Sequence, residues 1–389
     1  MKQTPPRRKA AKPVPVYLDC NATTPVEPSV QDVLARFYGE EFGNSGSRTH
    51  DYGVRANKAV QTARAHVAAV VAAKPEEVVF TSGATEANNL AILGLASHGG
   101  ITGRRHIIAT AIEHKAILEP LQALAKQGFE ITLVRPAVSG AVSAASVAEA
   151  LKPETLLVSV MQANNETGIR QPLREIAEIL AGSEVYFHVD AAQGYGKDLE
   201  PLRSERIDLI SVSAHKIYGP VGVGALIARR RGFRMPPLQP LAFGGGQEWG
   251  FRPGTLPVPL IAGFGCAAEL ALSDHIARRV RCEAVRLTAL AALEPLGIRL
   301  NGQAELALPH VLNFSVPTLD SEAVMVALKD LAAVSNGSAC TSQNYQPSHV
   351  LKAMGLPDDV IAGAIRVSWS HLTPDVDWSR IAERIRTLM

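Results

Sequence analysis

The stretch from Asp208 to Pro220 carries the residues best suited to chemistry. Leu209 to Ser213 are apolar or small, with β-branched Ile210 and Val212, and predict a short buried strand. That strand runs out into Ser213-Ala214-His215-Lys216, and Tyr218-Gly219-Pro220 signals a turn. In α/β proteins ligands sit beyond the carboxyl ends of strands. A lysine placed there is a candidate nucleophile toward a carbonyl, because burial lowers its pKa and frees the amine. For Lys216 alone, a surface lysine after a strand is the commoner case; its neighbours change the balance. Asp190 ends the apolar run Val185-Tyr186-Phe187-His188-Val189, where a carboxylate could pair with a buried cation or simply cap a helix. Gln162-Ala163-Asn164-Asn165-Glu166 ends another run with amides, and His114 follows a third. Taken singly, these are a tight Asn/Gly turn and a structural histidine. Thr81-Ser82-Gly83-Ala84-Thr85-Glu86 is a small-residue turn opening a helix. Such a turn binds phosphate through free N–H groups and the helix dipole. Thr85 adds a hydroxyl to it, or merely caps it.

A strand-end lysine, an aspartate one strand earlier and an upstream phosphate turn together suit pyridoxal 5'-phosphate. The lysine forms the imine, the aspartate keeps the ring nitrogen protonated, and the turn holds the phosphate.

Those residues need rigid elements behind them. The chain has 389 residues, 47% hydrophobic and 20% charged, which suits a globular two-domain enzyme. A net charge of +2 makes no global case for nucleic-acid binding. Cys20, Cys266, Cys282 and Cys340 form no CxxC pair, which argues against a disulfide framework or a metal site and for a reducing, cytoplasmic setting. No apolar run is long enough to span a membrane, and no signal peptide is evident. Residues 1–15 are basic and proline-rich and predict a flexible arm. Strands are predicted at 77–80, 106–109, 131–134, 155–161, 185–189, 209–213 and 224–228. Helices are predicted at 28–38, 54–73, 87–96, 115–126 and 173–181, then as long helical material over 257–293. This alternation predicts a mostly parallel sheet covered on both faces. The remainder reads as a smaller α+β unit: strands at 310–316 and 365–370, helices at 321–331 and 348–354, and a last helix. The expected division is an arm (1–15), a large domain (16–260, with its N-terminal segment near the small domain) and a small domain (261–389).

Taken in order, the motifs resemble those of the cysteine desulfurases, in the class V branch of fold-type I pyridoxal-phosphate enzymes. They are Tyr-Leu-Asp and Ala-Thr-Thr-Pro within 17–25, Phe-Thr-Ser-Gly-Ala-Thr-Glu (80–86), Glu-His-Lys-Ala (113–116), Asn-Asn-Glu-Thr-Gly (164–168) and His-Val-Asp-Ala-Ala-Gln (188–193). There follow Ser-Ala-His-Lys-Ile-Tyr-Gly-Pro (213–220), Gly-Gly-Gly-Gln-Glu (244–248), Arg-Pro-Gly-Thr-Leu (252–256) and Gly-Ser-Ala-Cys-Thr-Ser (337–342). The resemblance implies a fold-type I transferase with a seven-stranded, mostly parallel sheet and pyridoxal 5'-phosphate as cofactor. It makes Lys216 the Schiff-base lysine and His114 the ring-stacking residue. Asp190 pairs with the ring nitrogen and Gln193 with the ring hydroxyl. Thr85, Ser213 and His215 bind the phosphate, and Thr255 reaches the phosphate of the partner subunit in a homodimer. Asn165 and Arg366 hold the carboxylate of L-cysteine, and Cys340 is the nucleophile that carries the persulfide. Its loop resembles the longer loop of the group that hands sulfur to a protein acceptor, and a Gly/Ser-rich loop suits that task.

Cys20, Cys266 and Cys282 are expected to be packing residues. Ala214 stands where the family usually has glycine, which is a small change only if its φ is negative. Trp369 stands where a smaller apolar residue is common, which predicts a different pocket mouth. The sequence looks most like the branch that serves DNA phosphorothioation, in 17–25 and in the basic run 229–237. Housekeeping relatives carry a further C-terminal tail, whereas this sequence ends at Met389, so an iron–sulfur scaffold is not the expected acceptor. Iron–sulfur assembly, tRNA thiolation and selenocysteine lyase activity are the alternatives. So, from other classes, are a non-catalytic scaffold and a nucleic-acid-binding protein. Direct DNA contact and membrane attachment are not expected.

Overall fold

The computed structural model describes residues 14–336 and 347–389. In chain order the first elements are β1 (Val16–Tyr17), α1 (Pro28–Gly39), α2 (Asp51–Val70), β2 (Val78–Thr81), α3 (Ala84–Thr102), β3 (His106–Thr110), α4 (Lys115–Ala125) and β4 (Glu130–Val134). Then come α5 (Ala144–Ala150), β5 (Thr155–Met161), α6 (Leu173–Ile179), β6 (Tyr186–Asp190), β7 (Leu209–Ser213) and β8 (Gly224–Ala228). The last part holds α7 (Val258–Ser273), α8 (His275–Leu293), β9 (Arg299–Leu300), β10 (Val311–Ser315), α9 (Ser321–Leu328) and β11 (Ala332–Ala333). It closes with α10 (His349–Ala353), α11 (Asp358–Ala362), β12 (Ala364–Ser368) and α12 (Trp378–Arg386).

A seven-stranded sheet in the order β2-β8-β7-β6-β5-β3-β4 forms the large unit. Only β8 runs against its neighbours; the pairs from β7 through β4 are parallel. This is the sheet expected from the alternation of strands and helices. Its strands are buried on both faces, as parallel strands under helices must be. Ile210 and Val212 join the layer that holds α1, α2 and α7, while Leu209 joins the layer under α3 and α4. Every parallel strand therefore ends at one edge, and the polar residues that follow those ends share it.

The small unit is built on the antiparallel sheet β12-β10-β9, covered by α8, α9 and α12. The N-terminal segment belongs to it: β1 pairs in parallel with β11, and Leu18 is buried in its core. The long helical material over 257–293 is two helices, bent by 76° at Asp274. Ile261, Phe264, Ala267, Ala268 and Ala271 of α7 are buried in the large core against α2. The division expected after residue 260 therefore falls inside a helix that packs with the large unit, and we place it at the Asp274 bend instead. No single described helix is long and apolar enough to cross a membrane.

Helix ends moved for identifiable reasons. α2 starts three residues earlier than predicted, because the His50 side chain accepts the Gly53 N–H at 3.2 Å and acts as the cap. α3 extends at both ends, since Ala84, Thr85 and Glu86 are themselves its first turn, and it stops at left-handed Gly103.

Trp369 does not shape a pocket mouth. It is fully buried in the small core, edge-on to Trp378 at 6.1 Å, and donates Nε1–H to the Cys282 carbonyl at 3.0 Å. Its bulk fills the gap between α8 and β12. Trp369→Ala is expected to cost about 3–5 kcal/mol through the cavity left behind. A denaturant titration checks this; an unshifted midpoint would show that the side chain is not a core element.

Candidate active site

The carboxyl edge of the large sheet opens into a cavity of about 390 Å³. Lys216, His114, Asp190, Gln193, Thr85, Ser213, His215, Asn165 and Arg366 all line it. Nine of the eleven residues singled out from the sequence thus meet at one place. Thr255 does not: it is exposed on the loop before α7. Cys340 lies outside the described residues, as does the basic arm except for Val14 and Pro15.

Lys216 ends the short 3-10 turn after β7. Its Nζ donates to the main-chain carbonyls of Asn21 and of Ala22, the latter at 2.8 Å. Ala214, inside the same turn, has no positive φ, so alanine replaces glycine there without backbone strain. His215 shares one ring nitrogen with the Thr23 hydroxyl at 3.1 Å. Burial, with the Lys216 and Lys197 ammonium groups nearby, pushes His215 down to about 4, so it is a neutral imidazole at pH 7.

Asp190 is fixed on both oxygens. Asn88 Nδ2 donates to Oδ2 at 2.8 Å, and the Ala192 N–H donates to Oδ1 at 3.0 Å. Two residues upstream, buried His188 bridges Ser159 and Ser211 on the flanking strands, at 2.9 Å each. Burial pushes that imidazole down to about 3. His114 caps α4: its Nδ1 accepts the Ala116 N–H at 3.1 Å, which fixes the ring at the helix entrance. Arg366, in mid-β12, donates from Nη1 to the Asn165 carbonyl at 2.9 Å and from Nη2 to Asp19 Oδ1 at 2.6 Å. Gln193 donates to the Asn21 carbonyl at 3.0 Å.

Sequence reasoning passed over four residues here. Asp19 and Asn21 sit in the 17–25 motif, from which no site residue was singled out. Asn88 lies three residues beyond Thr85, one turn up the same helix face, and that spacing is the signal that could have found it. Glu113 is fully buried beneath the site, accepting from the Thr110 hydroxyl at 2.6 Å and the Met161 N–H at 2.8 Å.

The basic run after β8 is only in part a solvated face: Arg230 and Arg234 are exposed, but Arg229 and Arg231 are tied to the protein. Arg229 is buried and donates to the carbonyls of Val71, Leu202 and Ser204. Arg231 pairs with Asp208 at 2.7 Å and lies over the Tyr186 ring. The three described thiols are also off the cavity. Burial pushes Cys20 up to about 11 and Cys282 up to about 12, and raises Cys266 as well.

This fold, with its lysine, aspartate and histidine at the sheet edge, places the chain in a family: it belongs to the aminotransferase class-V proteins, whose family model matches residues 16–377. It is 43% identical over 383 residues to the cysteine desulfurase IscS of Anaeromyxobacter dehalogenans, covering 96% of this chain and 93% of that one. The crystal structure of DndA from Streptomyces lividans matches with a TM-score of 0.80 at 49% identity, over 91% of this chain and 99% of that one. A structure of SspA in complex with cysteine matches with a TM-score of 0.80 at 34% identity, over 93% and 99%. The chain is a pyridoxal-phosphate-dependent cysteine desulfurase of fold type I.

The cavity fits that cofactor. Asn21 Oδ1, Asn88 Oδ1 and Gln193 Oε1, on three residues that line it, are buried with no partner in the protein. α3 begins here just after its N-cap Gly83, with no side chain capping its first N–H groups, which leaves them to a phosphate. β8 passes so close that a Cβ on Gly224 would lie 2.6 Å from Gly83 Cα, so only glycine lets the turn pack there.

Burial pushes Glu113 up to about 8 from an ordinary 4.5; the Thr110 hydroxyl opposes the rise and the Asp190 charge adds to it. The folded protein therefore holds a proton on Glu113 that the unfolded chain releases, and stability falls as pH climbs from 4.5 to about 8. Glu113→Gln removes that dependence. Denaturant midpoints from pH 5 to 8 are expected to fall more steeply for the unsubstituted protein than for the variant; parallel profiles would refute a protonated Glu113.

Proposed function

We propose that the chain takes sulfur from L-cysteine in this cavity, releases L-alanine and leaves a persulfide on Cys340 for a protein acceptor. The observation that carries the reading is the convergence of Lys216, Asp190, His114 and Arg366 on one cavity from four separate segments. Lys216 would hold the cofactor, with Asp190 at the ring nitrogen, Gln193 at the ring hydroxyl and His114 on the ring face. The first turn of α3, Thr85, Ser213 and His215 would hold the phosphate. Bound pyridoxal phosphate supplies an electron sink at the substrate α-carbon.

The chain's own groups do the rest. Arg366 and Asn165 orient the substrate carboxylate, for which a guanidinium fork is well shaped. The Lys216 amine, kept at the cavity by the carbonyls of Asn21 and Ala22, takes up the α-proton. The Cys340 thiolate attacks the substrate sulfur: an S–S bond forms, the C–S bond breaks, and its electron pair stays on the carbon skeleton, which is reprotonated and leaves as alanine. The raised thiols of Cys20, Cys266 and Cys282, none of which lines the cavity, support Cys340 as the nucleophile. Thr255, exposed and away from this chain's own cavity, fits a role toward the partner subunit of a homodimer. Cys340→Ser is expected to keep the cofactor and bind L-cysteine, with sulfide release in dithiothreitol falling to background. Near-normal release would assign the sulfur transfer to another thiol.

For the acceptor we propose a protein that introduces sulfur into DNA as phosphorothioate. The 49% identity with DndA, against 43% with the IscS relative, supports this reading. The internal pairing of Arg229 and Arg231 leaves less basic surface for direct DNA contact, in keeping with transfer through a protein. The full-length likeness to IscS favours a second reading, an iron–sulfur or tRNA-thiolating acceptor. Deletion of the gene in its host separates them. Loss of phosphorothioate linkages is expected. Intact linkages, or a host without any, together with failing iron–sulfur enzymes would establish the second reading.

A further inference from the structure

We infer that Asp19 is a positioning residue for the substrate carboxylate, acting through Arg366 from behind the cavity. The inference rests on the proposed carboxylate-binding role of Arg366. The Arg366 side chain is 3% exposed and that of Asp19 is 19% exposed, and the two pair at 2.6 Å. Arg366 lines the cavity and Asp19 does not. The Asp19 carboxylate therefore reaches the guanidinium from outside the cavity lining.

Main-chain bonds put Asp19 there. It forms a parallel bridge with Ser368, two residues past Arg366 on β12. The Ser368 N–H donates to the Leu18 carbonyl at 2.8 Å, and the Cys20 N–H donates to the Ser368 carbonyl at 3.1 Å. The same edge of β12 is held at Arg366 itself by a two-way pairing with Ser335, at 2.6 and 3.1 Å, while the opposite edge pairs with β10. Backbone and side chain are thus both located before any ligand arrives. Arg366 Nη1 is spent on the Asn165 carbonyl and Nη2 on Asp19, while Nε is buried with no partner in the protein. A buried guanidinium with one unsatisfied edge and a counter-ion behind it is preorganised for a second carboxylate in front. Without Asp19 the fork can swing about its long stem, and a carboxylate must order it on binding.

The test compares L-cysteine with cysteamine, which carries the amine and thiol but no carboxylate. Holoenzyme variants are assayed for KM and kcat with L-cysteine, and for binding of both compounds by perturbation of the cofactor absorbance. Asp19→Ala is expected to raise KM for L-cysteine about tenfold, the equivalent of one anchoring hydrogen bond, with kcat changed less than about threefold. Cysteamine binding is unchanged, so the preference for L-cysteine shrinks. Asp19→Asn recovers part of the loss, because its amide oxygen still accepts from Nη2, and it serves as the test if the alanine variant fails to fold. An unchanged or lowered KM in both variants would overturn the inference. Arg366→Ala is the control: if it leaves the L-cysteine preference intact, the carboxylate role of Arg366 itself is wrong. If it abolishes that preference while the Asp19 variants keep it, the role of Arg366 stands and the inference about Asp19 falls.

Discussion

The amine of Lys216 is held by two main-chain carbonyls, those of Asn21 and Ala22, and the rest of the site is assembled around that grip. The segment that supplies them is anchored on the small unit and reaches across to the large one. Leu18 is buried in the small core, and Cys20 and Asn21 bond to Ser368. Thr24 then bonds through its N–H and its hydroxyl to the His215 carbonyl, each at 3.0 Å, and Asn21 receives Gln193. A handful of residues therefore sets the distance between the lysine turn of one unit and the arginine strand of the other. Backbone carbonyls suit the task because they have no rotamers to lose and no charge to bury.

Beneath that edge the large sheet carries polar groups that are costly unless satisfied. The sheet satisfies them in pairs across strands. His188 spans β5 to β7 through two serines, and Asp190 is held by Asn88 from α3. Glu113 avoids burying a charge by keeping its proton. Each arrangement stiffens the strand ends from which the cavity residues project, and a rigid support is what a site needs for its side chains to stay in place. The same frame keeps the other thiols out of play, since burial raises Cys20, Cys266 and Cys282 away from the thiolate form.

The sheet itself was legible in the sequence. Runs of apolar and small residues bounded by turn signals located 155–161, 209–213 and 224–228 to the residue, because a strand buried on both faces leaves few alternatives. Lys216, Asp190, Thr85 and His114 stood out because each follows such a run, and parallel strands bring all their ends to one edge. Residue types and order along the chain therefore determined the class of fold, the cofactor chemistry and nine of the residues that line the cavity.

What only the tertiary structure decided was pairing over long separations in sequence. Nothing near Asp19 in the chain announces that its carboxylate meets Arg366, nor does anything near Asn21 announce that its carbonyl meets Lys216. Trp369 looked like a change at a pocket mouth and is instead core, since residues along one strand alternate between two faces and only packing says which face is which. Arg229 to Arg234 is a basic run in sequence, yet Arg229 is buried on three carbonyls and Arg231 pairs with Asp208, while Arg230 and Arg234 stay exposed. Local patterns report periodicity and turn chemistry, which are properties of neighbours in sequence. Counter-ions and carbonyl grips are properties of neighbours in space, and those exist only once both units have folded against the same N-terminal segment.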